Sequence, residues 1–113
     1  MKVAVLAAPF AGDLPVMEQC LDMINSQRAI TQVWHMGTGK ASLRLLAWAK
    51  AKNIPAHVFK TAVPDSWTQE QTVRMVVADA HPDYVLRLPC GGIAAAIADY
   101  LVAAGAPVWR VGD

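Results

Sequence analysis

Short apolar runs alternate along the chain with segments whose apolar residues recur at helical spacing. The runs, which are rich in β-branched residues, predict strands at residues 2–8, 29–36, 56–59, 83–88 and 108–111. The segments between them predict helices at residues 14–27, 41–52, 69–80 and 93–104. Asp13, and Thr68 with Gln71, are N-cap candidates, and Gly105 is a C-cap candidate. Single helices between successive strands predict a parallel sheet that is covered by helices on both faces.

The predicted fold is a single Rossmann-like, three-layer α/β domain with a five-stranded, mainly parallel sheet. The chain has 113 residues, which suits one domain, and 55% of them are apolar, which is enough for a closed core. In such sheets ligands bind outside the carboxyl ends of the strands. The loops that follow the first, second and fourth strands contain glycine, and we expect the binding site there.

Charge and cysteine content narrow the classes of partner. Ten Lys and Arg against nine Asp and Glu give a net charge of +1, which argues against a nucleic-acid partner. The longest apolar runs are far shorter than the ~20 residues of a membrane helix, so no membrane segment is predicted. Cys20 and Cys90 are too few for a disulfide framework or a four-cysteine zinc site. We therefore expect a cytoplasmic protein without a metal or cofactor.

Self-association, most simply as a homodimer, is predicted from the low charge fraction of 17% and from the last helix. One apolar stripe of this helix contains Ile93, Ile97 and Leu101. A second stripe contains Ala94, Ala98 and Val102. A helix that packs on a sheet needs one stripe, which leaves the other for a second copy.

The loop Gly37-Thr38-Gly39-Lys40 invites comparison with a nucleotide-binding P-loop. The spacing excludes that motif, because the position that needs the first glycine holds Trp34. A glycine turn before a helix nevertheless exposes backbone N–H groups, and with Lys40 beside them it suits a phosphate. The alternative is that the glycines only make the turn and Lys40 is solvated.

The loop Pro89-Cys90-Gly91-Gly92 precedes an alanine-rich helix that begins near Ile93 and has no bulky polar residue in its first turn. Two adjacent glycines let the backbone approach a ligand closely. A valine at position 91 is expected to abolish binding, because it would fill ligand space and exclude a positive φ. Arg87 either binds a phosphate or bridges to Asp83 or another carboxylate.

The order of these motifs resembles the SLOG (Smf/DprA–LOG) superfamily, in particular its small stand-alone members related to YspA and YpsA. The resemblance covers nearly the whole chain. The residues that fall in the first part of the family's pattern are His35, Gly37, Ala41, Trp48, Ala49, Ile54 and Pro55. Those in the second part are Pro89, Gly91, Ala95, Gly105, Pro107 and Val108. The resemblance implies the strand order 3-2-1-4-5, with the switch point between the first and fourth strands, and also dimerisation.

The resemblance also implies a nucleotide or nucleotide-derived ligand, which the protein would sense, carry or sequester. The paired glutamates of the LOG phosphoribohydrolases fall on Ala96 and Ile97, so LOG-type hydrolysis is not expected and no catalytic residue is assigned. A nucleotide-processing enzyme on the same site, or a self-associating or protein-binding domain with a degenerate pocket, are the alternatives. The expected ligand-binding residues are Pro9, Phe10, Gly12, Gly37, Thr38, Gly39, Lys40, Arg87, Pro89, Cys90, Gly91, Gly92 and Ile93.

Overall fold

A computed structural model describes residues 1–8 and 14–111 of the chain. Its strands are β1 (Lys2–Leu6), β2 (Gln32–His35), β3 (Ala56–Val58), β4 (Tyr84–Arg87) and β5 (Val108–Arg110). Its helices are α1 (Leu14–Gln27), α2 (Gly39–Ala51), α3 (Gln69–Ala80) and α4 (Gly92–Ala103). The predicted cap Asp13 and the predicted ligand residues Pro9, Phe10 and Gly12 lie outside the described residues.

The five strands form one sheet in the order β3-β2-β1-β4-β5, and every neighbouring pair is parallel. The predicted α/β class and the predicted strand order are both confirmed. After β1 the chain winds first toward β2 and β3, and later toward β4 and β5. The direction of winding therefore reverses between β1 and β4, and a crevice opens there at the carboxyl ends of the strands.

Alternating side chains of β1 divide the core into two layers. Val3 and Val5 pack with α1 and α2 on one face of the sheet, and Ala4 and Leu6 pack with α3 and α4 on the other. All four side chains are buried, as the near-continuous apolar run of a central parallel strand requires. Within the described residues, every helix is too short or too polar to cross a membrane.

The predicted second strand began at residue 29, whereas β2 begins at Gln32. The residues just before β2 bond to Met1 and to the end of α1 without forming further ladder pairs. The N–H of Ile30 donates to Asn25 Oδ1 (2.9 Å), and the terminal ammonium of Met1 donates to the carbonyl of Ala29 (2.9 Å). At the other end of the molecule α2 and α4 begin on glycines, Gly39 and Gly92, which were predicted to belong to turns.

The expectation that α4 has a free apolar stripe is wrong. Ile97 and Leu101 of one predicted stripe and Ala94 and Ala98 of the other are all buried. Both stripes face inward because α4 packs against the sheet and also against α3. Of the second stripe only Val102 is exposed, so the motivation for self-association through this helix is lost.

Candidate functional site

A groove of about 340 Å³ lies at the switch point, above the carboxyl ends of β1, β2 and β4. Its volume falls in the lower part of the ~300–1,000 Å³ range of small-molecule sites. Three loops line it, through Ala7 and Ala8, through Met36 and Thr38, and through Gly91, Gly92, Ile93 and Ala94. The N–H of Ala8 donates to the carbonyl of Pro89 (3.1 Å), which ties the β1 loop to the β4 loop at the base of the groove.

One wall of the groove is the start of α2. Gly37 and Gly39 have φ of +81° and +78°, which is left-handed backbone that glycine adopts without strain. Thr38 precedes the helix as its N-cap, but in the described structure its hydroxyl makes no capping hydrogen bond. The first turn of α2 contains no acidic side chain and carries Lys40, which is exposed. The first N–H groups of α2 therefore have no intrahelical acceptor, and within the described structure the Thr38 side chain does not cap them.

The opposite wall is the start of α4. Gly91 is its N-cap and offers no side chain, and the first turn again lacks an acidic residue. The expected positive φ at Gly91 is wrong, because its φ is −137°. Gly92 adopts the left-handed conformation instead, with φ of +58°. A Cβ on Gly91 would contact nothing within 4 Å, so any side chain there would extend into open space at the groove.

Helix α3 shows what a satisfied helix start looks like in this protein. Thr68 accepts a hydrogen bond from the N–H of Gln71 (3.2 Å), and Gln71 Oε1 accepts one from the N–H of Thr68 (2.8 Å). Glu70 adds a negative charge in the first turn. The capping box predicted from Thr68 and Gln71 is present. An anion at the groove would supply to α2 and α4 what these side chains supply to α3.

Arg87 forms an ion pair with Asp99 of α4, with Nη1 2.7 Å from Oδ1. This hydrogen bond to Asp99 raises the pKa of Arg87, and the neighbouring Cys90 acts in the same direction. Asp83, the other predicted partner, instead accepts a hydrogen bond from the N–H of Lys2 (3.0 Å). Of the two interpretations of Arg87, the structure shows the bridge to a carboxylate.

His35, at the end of β2, stabilises the turn that forms the first wall. Its Nδ1 accepts a hydrogen bond from the N–H of Gly37 (3.1 Å). The side chain is 2% exposed, and burial lowers its pKa. Because Nδ1 is the acceptor, the neutral ring carries its proton on Nε2. Nε2 is buried and has no hydrogen-bond partner among the described residues.

The structure thus brings some of the predicted residues together and places others nearby. Thr38, Gly91, Gly92 and Ile93 line the groove. Other predicted residues belong to the same loops without lining it: Gly37, Gly39, Lys40, Pro89 and Cys90. Ala7, Ala8, Met36 and Ala94 line it and were not predicted. The sequence does contain a signal for Ala7 and Ala8. They are two adjacent small residues at the end of the first apolar run, and small side chains leave the end of the strand open.

Comparison of this chain with protein-family models, with curated proteins and with solved structures finds no significant match.

Proposed function

We propose that this protein binds a nucleotide or a nucleotide-derived small molecule at the groove between β1, β2 and β4. The observation that carries the proposal is that two helix starts without side-chain caps, those of α2 and α4, line a groove of ligand size. Unsatisfied N–H groups and the helix dipole favour a phosphate at such a point. Lys40 adds a positive charge from the first turn of α2.

The composition of the walls suits a ligand that is charged at one end and apolar at the other. Ala7, Ala8, Met36 and Ile93 give the groove apolar walls, against which a planar base can pack. The thioether of Met36 contacts aromatic rings favourably. The hydroxyl of Thr38 is the side-chain donor that lines the groove within the described part of the chain. A mononucleotide combines the two properties that this arrangement recognises.

We propose that the protein binds its ligand without hydrolysing it. Ile97 is fully buried in the core, and Ala96 faces the surface groove between α3 and α4. These are the two positions where the resemblance to LOG phosphoribohydrolases would require glutamates. None of the described residues that line the strand-end groove carries a carboxylate. We further propose that the chain is a SLOG relative that acts in the cytoplasm, where thiols outside disulfides, such as those of Cys20 and Cys90, stay reduced.

The direct experiment is to purify the protein, denature it and identify released small molecules by mass spectrometry. We expect a phosphorylated nucleoside derivative in an amount comparable to that of the protein. The recovered compound is then titrated into protein from which it has been removed, by calorimetry. Incubation with a panel of nucleoside monophosphates, followed by product analysis, tests for an enzyme, and product formation would replace binding by catalysis as the function.

Two lysines at opposite ends of α2 provide a matched pair of variants. Lys40 and Lys50 are both exposed, and only Lys40 is in the first turn. Lys40→Ala should weaken binding of the recovered compound, whereas Lys50→Ala should not. Arg28→Ala, beyond the far end of α1, is a second control. If no phosphorylated compound is recovered and none of the panel binds, the groove is not a nucleotide site.

A further inference from the structure

The hydrogen bond between His35 and Gly37 connects a titratable ring to the glycine turn beside the groove. The N–H of Gly37 donates to Nδ1 across 3.1 Å. Gly37 has φ of +81°, and its exposed backbone leads directly into Thr38 and the start of α2. The ring is thus the acceptor that fixes the entry of the turn.

Protonation of the ring abolishes this acceptor. A histidinium carries a hydrogen on both nitrogens and can only donate, so Nδ1–H would face the N–H of Gly37. Two donors cannot share that position, and either the turn or the ring has to move. The ring has little room, because it is 2% exposed and the cavity beside it, about 10 Å³, holds no more than one water.

We propose that His35 is the positioning residue of the turn at Gly37 to Lys40 and that protonation of His35 opens this turn. The consequence for the ligand rests on the proposed function: binding at the groove should weaken as the solution is acidified. If only the neutral form is competent, the apparent Kd rises about tenfold for each pH unit below the pKa of His35.

Among the described residues, the lining of the cavity beside the ring holds no group that would compensate the charge of a histidinium. The cavity is lined from β1 by Val5 and Ala7 and from α2 by Ala41, Ser42 and Leu45, none of which titrates. On the β3 side the carbonyl of His35 accepts the N–H of Phe59 (2.9 Å), and Val58 pairs with His35 in register. The charged residues next to these on α2 are Lys40 and Arg44; both are exposed, and Arg44 is paired with Glu18 of α1. Burial accordingly lowers the pKa of His35.

The experiment compares the parent with His35→Asn and His35→Leu. Asn places an amide oxygen close to the position of Nδ1 and does not titrate, whereas Leu removes the acceptor and keeps a buried apolar side chain. NMR follows the amide shift and the exchange protection factor of Gly37 between about pH 8 and pH 5. The binding probe is inorganic sulfate, whose charge is constant over this range. His57→Asn, at an exposed histidine of β3, is the matched control.

In the parent and in His57→Asn, the Gly37 protection factor and sulfate affinity should fall together on acidification. His35→Asn should keep both without a pH dependence, and His35→Leu should show the low-pH values already at neutral pH. An equal pH dependence in His35→Asn, or a Gly37 amide that does not respond in the parent, would overturn the role of His35. If the Gly37 amide behaves as expected but neither sulfate nor any nucleotide binds at any pH, the proposed function fails and the switch stands.

Discussion

Thr38 and Thr68 occupy the same position at the starts of two helices but make different contacts, and replacing each by alanine separates a ligand site from a structural cap. Thr68 is hydrogen-bonded to Gln71 in a reciprocal capping box. Thr38 makes no capping bond in the described structure and lines the groove. We expect Thr68→Ala to lower stability without affecting binding, and Thr38→Ala to do the reverse.

The magnitudes follow from the contacts that each substitution removes. Loss of a threonine N-cap costs about 0.5–2 kcal/mol of folding free energy. For a domain near this size a change of 1 kcal/mol moves Tm by roughly 4 °C. Thr38→Ala removes no such bond and should stay within about 0.5 kcal/mol of the parent. If its hydroxyl donates to a phosphate, the loss of about 1.5–3 kcal/mol corresponds to roughly tenfold to hundredfold weaker binding.

The assay is thermal unfolding by circular dichroism, followed by calorimetric titration with the nucleotide recovered from the purified protein. Each variant is measured in both, so that a change in affinity is never read from a partly unfolded sample. If Thr38→Ala melts as low as Thr68→Ala and binds like the parent, then Thr38 is an ordinary cap in solution. The start of α2 would then be capped by its own side chain, as α3 is, and the reasoning from two uncapped helix starts would be refuted.

Four further outcomes are expected. Gly91→Val should fold like the parent and lose binding, because its Cβ meets nothing within 4 Å and its side chain extends into the groove. Gly92→Ala should lose about 1–2 kcal/mol of stability, because its φ is +58°. Equal Tm values of the two variants would contradict this. Arg87→Ala should lower stability and leave affinity unchanged, since it breaks the ion pair with Asp99 and removes a side chain that is only 17% exposed; a tenfold loss of affinity would return Arg87 to the ligand site. Because burial lowers the pKa of His35, the free energy of unfolding measured by urea titration should stay constant above about pH 6.5. Below that pH it should fall by up to ~1.4 kcal/mol per pH unit, until the folded-state pKa is reached. His35→Asn should remove that slope. Finally, self-association stays a prediction from the low charge fraction: light scattering should give more than the 12.2 kDa of one chain, and a monomeric parent would refute it.

Local periodicity and end signals were sufficient for the order of the elements and the α/β class, whereas the strand order was an expectation from the resemblance to a family. Helix α3 begins and ends where Thr68, Gln71 and the apolar spacing predict. The start of β2 was missed because residues 29–31 bond to Met1, which precedes the first ladder pair Lys2–Gln32, and to Asn25 of α1. Sequence patterns carry no record of such contacts.

The candidate site was predictable as a set of loops but not as a set of contacts. Glycine pairs mark where backbone can adopt unusual angles, yet they do not tell which member does, and at Gly91-Gly92 it is the second. Arg87 lies at the end of its strand as expected, but its direction depends on Asp99, twelve residues later on α4. The burial of both α4 stripes likewise depends on α3, whose docking no local pattern reveals.

The polarity of the fold explains why the carboxyl edge, rather than a groove elsewhere, is the place for an anion. A groove of about 280 Å³ also lies at the amino edge of the sheet, between the end of α1 and the starts of β4 and β5, lined by Tyr84 and Trp109. In a parallel α/β sheet every helix runs against the strands, so helix starts gather at the carboxyl edge and helix ends at the amino edge. The amino-edge groove therefore faces the negative ends of helix dipoles, where a phosphate is disfavoured. At the carboxyl edge the start of α3 is capped by Thr68 and Gln71, and Glu70 places a negative charge at its positive dipole end. The starts of α2 and α4 meet at the groove without side-chain caps in the described structure. A negatively charged ligand bound there would cap the starts of both helices.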